Sequence, residues 1–284
     1  MLKQRLLTAA ILIPLVVWGI LQLPTPYLAA VLGLLIAQGG WEWGGLMKLS
    51  SVAKRAFYAL AVAACLLVVW FFARGTDWLA LPLLSLFWWL LAMSWVWTYP
   101  RTATRWSATW MQFFIGLVVL VPAWLAVVAL HESGAQGPYW VLYLLTLIWV
   151  ADSGAYFGGR RFGKHKLAPA VSPGKTWEGV ASALLACTVY ALIAATVFGL
   201  AGNQWPAFIV LSLVTVVFSI LGDLTESMFK RHAGIKDSGS LLPGHGGVLD
   251  RIDSVTAAAP VFVVGLWLLD LGLMDLGLAG ELGV

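Results

Sequence analysis

Two pairs of carboxylates stand at helical spacing in the second half of the chain. In GDLTESMFKR (residues 222–231), Asp223 and Glu226 are three apart and Lys230 falls seven after Asp223, so the three share one helix stripe. In DRID, Asp250 and Asp253 repeat the spacing. Between the pairs runs KDSGSLLPGHGGVLDRIDS, with five charges and four glycines in nineteen residues. Two carboxylate pairs on two helices joined by a polar loop make an oxygen-rich pocket. Such a pocket suits a hard cation such as Mg²⁺ shared with substrate phosphates. Structural ion pairing, for instance of Asp250 or Asp253 with Arg231, accounts for the same spacing.

A second polar insert, GGRRFGKHKLAPAVSPGKTWEG, spans 158–179. Its Gly174-Lys175-Thr176 looks like the end of a phosphate-binding loop. Pro169 stands where the earlier glycine of that motif belongs, and no βαβ unit surrounds it. Lys175 beside Thr176 at a helix start still offers a point charge and N–H donors to a phosphate. Ser172, Pro173 and Glu178 read as an N-terminal helix signal. Asp152 and Tyr156 lie one turn apart on the span leading into this insert. His245, set between Gly244 and Gly246-Gly247, is expected to donate a hydrogen bond rather than act as a base. No G-x-S-x-G accompanies it, which argues against a serine hydrolase. The glycines read as places where backbone approaches a ligand. His131, His165 and His232 lack partners at ligand spacing and read as solvated loop residues.

The elements that must hold these residues are apolar. Of 284 residues 61% are hydrophobic and 11% charged, against about 25% charge in a soluble domain. Mean hydropathy is +0.89. The expected class is therefore all-α, a polytopic integral membrane protein. Candidate spans of about 20 apolar residues are 6–23, 27–47, 57–73, 78–98, 111–130, 139–158, 177–200, 206–229 and 254–272, nine in all. Lys3 and Arg5 before an apolar run also resemble a signal peptide, but no small-residue cleavage site follows Leu23.

With the N-terminus inside, 16 of the 17 Lys and Arg fall in cytoplasmic segments and only Arg74 falls outside. The nine-span arrangement thus puts the N-terminus in the cytoplasm and the acidic C-terminus outside. It divides the chain into about five N-terminal helices (1–135) and a C-terminal catalytic region (136–284) with cytoplasmic loops 158–176 and 230–252. Basic residues scattered over short loops, without a basic helix, argue against nucleic acid. Trp95, Trp97, Trp106 and Trp110 around the third inside loop read as interfacial anchors. Cys65 and Cys187 read as reduced, small hydrophobes.

Acids within spans are functional candidates, because burying them is expensive. Glu42, Asp152, Asp223 and Glu226 all lie near inner ends. Asp223 is about 9 Å from its span's inner end at 1.5 Å per residue.

Residues 227–253, SMFKRHAGIKDSGSLLPGHGGVLDRID, resemble the signature of the phosphatidate cytidylyltransferases, or CDP-diacylglycerol synthases, with no departure at a fixed position. Residues 151–179 resemble the family's second polar region. The resemblance implies CTP + phosphatidate → CDP-diacylglycerol + pyrophosphate with Mg²⁺, as one ion or two, in a bacterial inner membrane with the site facing the cytoplasm. Its partners would be CTP, phosphatidate and membrane lipid; a homodimer is a candidate assembly.

On that reading Asp223 and Asp250 lead the metal ligands, with Asp253, Glu226 and Asp152 behind them. Lys175, Lys230 and Arg231 neutralise phosphates, and the catalytic set is these three with Asp223, Asp250 and Asp253. Ser172, Thr176, Lys236, Asp237, His245, Gly246, Gly247 and Arg251 bind substrate. A site just below the inner surface should open sideways to lipid. A CTP-dependent polyprenol- or phytol-type lipid kinase is the related alternative, and a transporter lined by the same acids is the unrelated one.

Overall fold

The computed structural model describes residues 2–72, 78–241, 244 and 246–269. Among them, nine α-helices follow the expected spans one for one. They are α1 (Leu2–Gln22), α2 (Thr25–Leu46), α3 (Val52–Phe72), α4 (Ala80–Thr98), α5 (Thr109–Glu132), α6 (Gly137–Phe162), α7 (Trp177–Val197), α8 (Trp205–Ala233) and α9 (Leu249–Leu268). Seven of these, α3 to α9, are long and apolar enough to cross a membrane. Helix α2 falls short because its C-terminal third is GGWEWGG, four glycines around a glutamate. That composition has a use in the site described below.

The expectation of an all-α chain needs one addition. Strands β1 (Lys166–Ala168) and β2 (Ser172–Thr176) form an antiparallel hairpin between α6 and α7. Ser172 and Pro173, read as a helix start, are strand residues. A proline disfavours the α region for the residue before it, and the helix begins only at Trp177. Its cap is Thr176, whose Oγ1 accepts from the Gly179 N–H at 3.2 Å. Glu178 ties the root of the hairpin by accepting from the backbone of Lys164 and His165 and meeting His165 Nδ1 at 2.6 Å.

The polar loops are also shorter than expected. Helix α6 continues to Phe162, so 158–162 is helical. Helix α8 continues to Ala233, where Gly234 at φ 80° ends it in the left-handed conformation that suits glycine. The second loop is therefore 234–248.

Small residues set the tightest helix contacts. Gly154 and Gly158 of α6 lie one turn apart against Ala183 and Ser182 of α7, the close approach that small-xxx-small spacing permits. A Cβ on Gly158 would overlap the Ser182 side chain. In the same way Gly222 of α8 lies against the Asp253 carbonyl of α9, and a Cβ there would collide with it. This second contact brings the two acidic helices together. Helix α5 is buried along most of its length and forms the centre of the bundle.

Expectations about several side chains are corrected. His232 is no loop residue but a half-buried member of α8. Nor is His131: it is 6% exposed in α5, with ring nitrogens 2.9 Å from Thr25 Oγ1 and 2.9 Å from the Ile20 carbonyl. It ties α1, α2 and α5. Trp95 and Trp106 are packed inside rather than placed as interfacial anchors, whereas Trp97 and Trp110 are exposed. Trp106 meets Phe229 at 4.7 Å and His232 at 4.9 Å, and Trp43 meets Phe229 at 5.0 Å. This aromatic cluster braces the last turns of α8, the part that carries Lys230.

Candidate active site

The C-terminal ends of α6 and α8 and the N-terminal end of α9 meet the hairpin around two cavities with a common wall. The first, about 320 Å³, is polar and lies among Asp152, six charged residues of α8 and α9 (Asp223, Lys230, Arg231, Asp250, Arg251, Asp253), and Lys236 and Asp237 of the loop between them. Ser227 and Ser254 complete its lining. The second, about 480 Å³, is lined by Asp152, Tyr156 and Arg160 of α6, by Ser172, Gly174 and Lys175 of the hairpin, and by apolar groups including Leu167, Val180 and Ile220. Asp152 and Asp223 belong to both. On α6, Asp152, Tyr156 and Arg160 repeat every four residues, so one face presents all three to the second cavity. Arg160 donates to the Tyr156 hydroxyl at 3.1 Å.

Each charged side chain has a distinct setting. Lys175, brought by β2, holds Asp223 Oδ2 at 2.6 Å, and Ser227 donates to Asp223 Oδ1 at 3.2 Å. This pair is partly exposed. Lys230 donates to Asp250 Oδ1 at 2.7 Å and stands 3.3 Å from Glu226 Oε1. That trio is nearly sealed from solvent. The structural ion pair anticipated for Asp250 thus exists, with Lys230 rather than Arg231 as its partner. Arg231 is exposed and spends its Nε on the Val171 carbonyl at 3.2 Å, anchoring the hairpin to α8.

Asp250 also accepts from the backbone N–H of Ser238 at 2.9 Å and of Gly247 at 2.8 Å, so both its oxygens are engaged. Asp253 Oδ1 accepts from the Ser254 N–H at 2.7 Å. Glu226 lies behind the cavity, 4% exposed, with Lys230 3.3 Å from its Oε1 and the Asp253 carboxylate beside it.

Of the residues singled out in the sequence, Asp152, Lys175, Asp223, Lys230, Arg231, Lys236, Asp237, Asp250, Arg251, Asp253, Ser172 and Thr176 all line one cavity or the other. Thr176 is buried and its hydroxyl is committed to the α7 cap. Glu226, Gly246 and Gly247 stand outside the linings, and His245 lies outside the described residues.

The glycines of the second loop have a role other than the expected approach to a ligand. Gly246, at φ 80°, turns the chain beside Asp250. A Cβ on Gly239 or Gly247 would strike the carboxylate of Glu42. Glu42, noted only as an acid near an inner end, reaches into this loop from α2 and is 3% exposed. Gly-Gly on both sides of Trp-Glu-Trp was its only signal.

The donor set fits a magnesium ion in kind. Asp152, Asp223 and Asp253 offer hard carboxylate oxygens to one cavity. Among the described residues no group of three or more acidic, histidine or cysteine side chains is placed to hold a metal ion by itself. Magnesium usually takes one or two carboxylates and completes its shell with water and substrate phosphates, so an open acidic wall is an adequate partial site.

Comparison with known proteins places the sequence in a family. Residues 3–269 match the model described as "Cytidylyltransferase family". The chain is 42% identical over 267 residues to a phosphatidate cytidylyltransferase of Pseudomonas aeruginosa, covering 94% of this chain and 97% of that protein. It is 42% identical over 283 residues to a phosphatidate cytidylyltransferase of Haemophilus influenzae, covering 92% and 97%. One from Staphylococcus saprophyticus is 35% identical over 172 residues, covering 61% and 66%. With nearly the whole chain matched, from α1 through α9, the chain belongs to the cytidylyltransferase family.

Proposed function

We propose that the chain transfers the cytidylyl group of CTP to phosphatidate, releasing pyrophosphate and forming CDP-diacylglycerol as an integral membrane enzyme of phospholipid biosynthesis. The observation that supports this best is the Asp152–Asp223 wall shared by a polar cavity and a half-apolar one. The reaction joins two unlike substrates, one soluble and highly charged, the other a lipid with a charged head. A site with one chamber for each and a common acidic wall suits it.

In this reading the triphosphate of CTP enters the polar cavity, where Lys230, Arg231, Lys236 and Arg251 face its charge. The phosphatidate head enters the second cavity, where Arg160 and Lys175 face its phosphate and Tyr156 and Val180 continue toward the acyl chains. In this reading the side opening expected from the sequence would be the mouth of this cavity, which residues of α6, α7 and α8 line. An oxygen of the lipid phosphate attacks the α-phosphorus of CTP, a new P–O bond forms, and the bond to the β-phosphate oxygen breaks. That oxygen leaves on pyrophosphate. The attacking oxygen is already ionised, so the residues have no proton to remove; they align the two phosphates and neutralise charge as it moves to the leaving group. Asp223 and Asp152, with Asp253, would hold magnesium, which supplies further charge neutralisation at the CTP phosphates. Asp250, fully engaged by Lys230 and two amides, acts in this reading by fixing Lys230.

The wider proposal is a nine-span chain with its N-terminus and active site facing the cytoplasm of a bacterial inner membrane, where CTP is supplied. The test is purified protein with phosphatidate, Mg²⁺ and CTP carrying label in the cytosine ring or, separately, in the γ-phosphate. Ring label in the lipid product and γ-label in pyrophosphate are expected, and chelation of the metal stops both. Transfer of the γ-label alone to lipid would overturn the reading in favour of a lipid kinase.

A further inference from the structure

Glu42 is a carboxylate buried at the junction of α2 and the start of α9, and backbone and side-chain donors surround it. Its Oε1 accepts from the Val248 N–H at 3.0 Å and from Gln38 Nε2 at 3.2 Å. Its Oε2 accepts from the Leu249 N–H at 2.8 Å and from Ser238 Oγ at 3.0 Å. The first amides of a helix have no partner within the helix, and the residue before α9, Val248, has no side chain to cap them. Glu42 supplies the cap from about two hundred residues away in sequence, with the sign of charge that a helix N-terminus favours.

The same segment carries the acid that holds Lys230. Ser238 touches Glu42 through its hydroxyl and Asp250 through its N–H. Gly247 donates to Asp250 and packs on Glu42 so closely that a Cβ would not fit. Asp250 in turn holds Lys230 at the polar cavity. The loop is therefore fastened at two neighbouring points, one to Glu42 and one to Asp250, with Ser238 and Gly247 common to both.

We infer that Glu42 is a positioning residue for the cytidylyl transfer: a clamp from the N-terminal half that fixes Ser238 and the backbone of 247–249, and through them Asp250 and Lys230, in the geometry the reaction needs. The inference rests on the cytidylyltransferase reading for its effect on rate, but the clamp itself can be tested without it. Each carboxylate oxygen faces one backbone N–H, which can only donate, so an amide cannot replace the carboxylate. In Glu42→Gln the NH₂ group must oppose the N–H of Val248 or of Leu249, although the Ser238 hydroxyl and the Gln38 amide can turn to accept. Glu42→Asp keeps an acceptor-only group one methylene short. Loss of the clamp should shift the phosphate-facing groups without removing them, which lowers kcat more than it raises KM.

The experiment measures kcat, KM for CTP, and hydrogen exchange over residues 246–250 in the full-length protein. For Glu42→Gln we expect kcat to fall about tenfold to a hundredfold, the range reached when reacting groups are misplaced by about 1 Å, with KM for CTP changed less than about threefold. Exchange at 246–250 should quicken, and Glu42→Asp should restore part of kcat and part of the protection. Ser238→Ala, which removes one bond from the clamp, should lower kcat less than Glu42→Gln. The double variant should be no worse than Glu42→Gln alone, because both act through one contact.

Should Glu42→Gln fail to fold, Ser238→Ala decides, and wild-type kcat and exchange in that variant would overturn the inference. Losses of kcat that merely follow the folded fraction, with Glu42→Asp no better than Glu42→Gln, would overturn it too. If the wild-type chain makes no CDP-diacylglycerol, it is the family reading that fails. The exchange comparison still stands then, and equal protection at 246–250 in wild type and Glu42→Gln would refute the clamp.

Discussion

Replacing Lys230 by methionine removes one charge and keeps the length and most of the volume of the side chain. Its ammonium lies 2.7 Å from Asp250 Oδ1 and 3.3 Å from Glu226 Oε1, and the three side chains are 11%, 6% and 4% exposed. Without the lysine, two carboxylates remain in a site almost closed to water. Removing one partner of a buried ion pair costs about 3–5 kcal/mol, because the other charge is left uncompensated. The burden is unequal. Asp250 keeps the amides of Ser238 and Gly247, whereas Glu226 has no backbone amide to fall back on and faces a second carboxylate, Asp253. Most of the loss should therefore be traceable to Glu226. Converting Glu226 to leucine in the K230M background should recover about 2 kcal/mol or more, since apolar replacement of a whole buried pair is often neutral. Unfolding midpoints in detergent, with denaturant titration of the purified variants, give the stabilities, and CDP-diacylglycerol formation gives the rates. K230M and K230M/E226L should both be inactive relative to wild type by about a hundredfold or more, as for loss of a group that meets developing phosphate charge. The reasoning is refuted if K230M is within about 1 kcal/mol of wild type or if the double variant is no more stable than K230M.

The Lys175–Asp223 pair should behave oppositely. Its side chains are 27% and 30% exposed, so D223N should lose only about 0.2–1 kcal/mol of stability while its Mg²⁺-dependent turnover falls about a hundredfold or more; a folded D223N with near-wild-type turnover refutes the assignment. At the α6–α7 contact, G158A should lose about 1–3 kcal/mol through overpacking against Ser182. Removing the obstructing side chain in G158A/S182G should return part of it, as read from the same unfolding midpoints.

These contrasts bear on what the sequence could disclose. The nine helices were legible because lipid demands long apolar runs, and each run became one helix. The carboxylates were legible as a cluster, but not their division of labour. Residues three apart on a helix lie about 60° apart around its axis. That is close enough to predict a common stripe for Asp223 and Glu226, yet wide enough for one to line both cavities while the other turns into the α8–α9 contact. Lys230 lies about 20° from Asp223 and about 40° from Glu226 around the axis, between the two, and what its long side chain reaches is Asp250 and Glu226 rather than Asp223. The β-hairpin was illegible because its three- and five-residue strands are held by contacts from elsewhere, Arg231 on the Val171 carbonyl and Glu178 on the Lys164 and His165 amides. Glu42 was the hardest to place. Helical and strand periodicities relate residues only a few positions apart, and no such rule connects position 42 to positions 238–249. The glycines did announce that something approaches their backbone closely. What approaches Gly239 and Gly247 is a carboxylate of the same chain, and a glycine pattern by itself cannot distinguish a substrate phosphate from a side-chain carboxylate, since both are anions that seek backbone N–H groups.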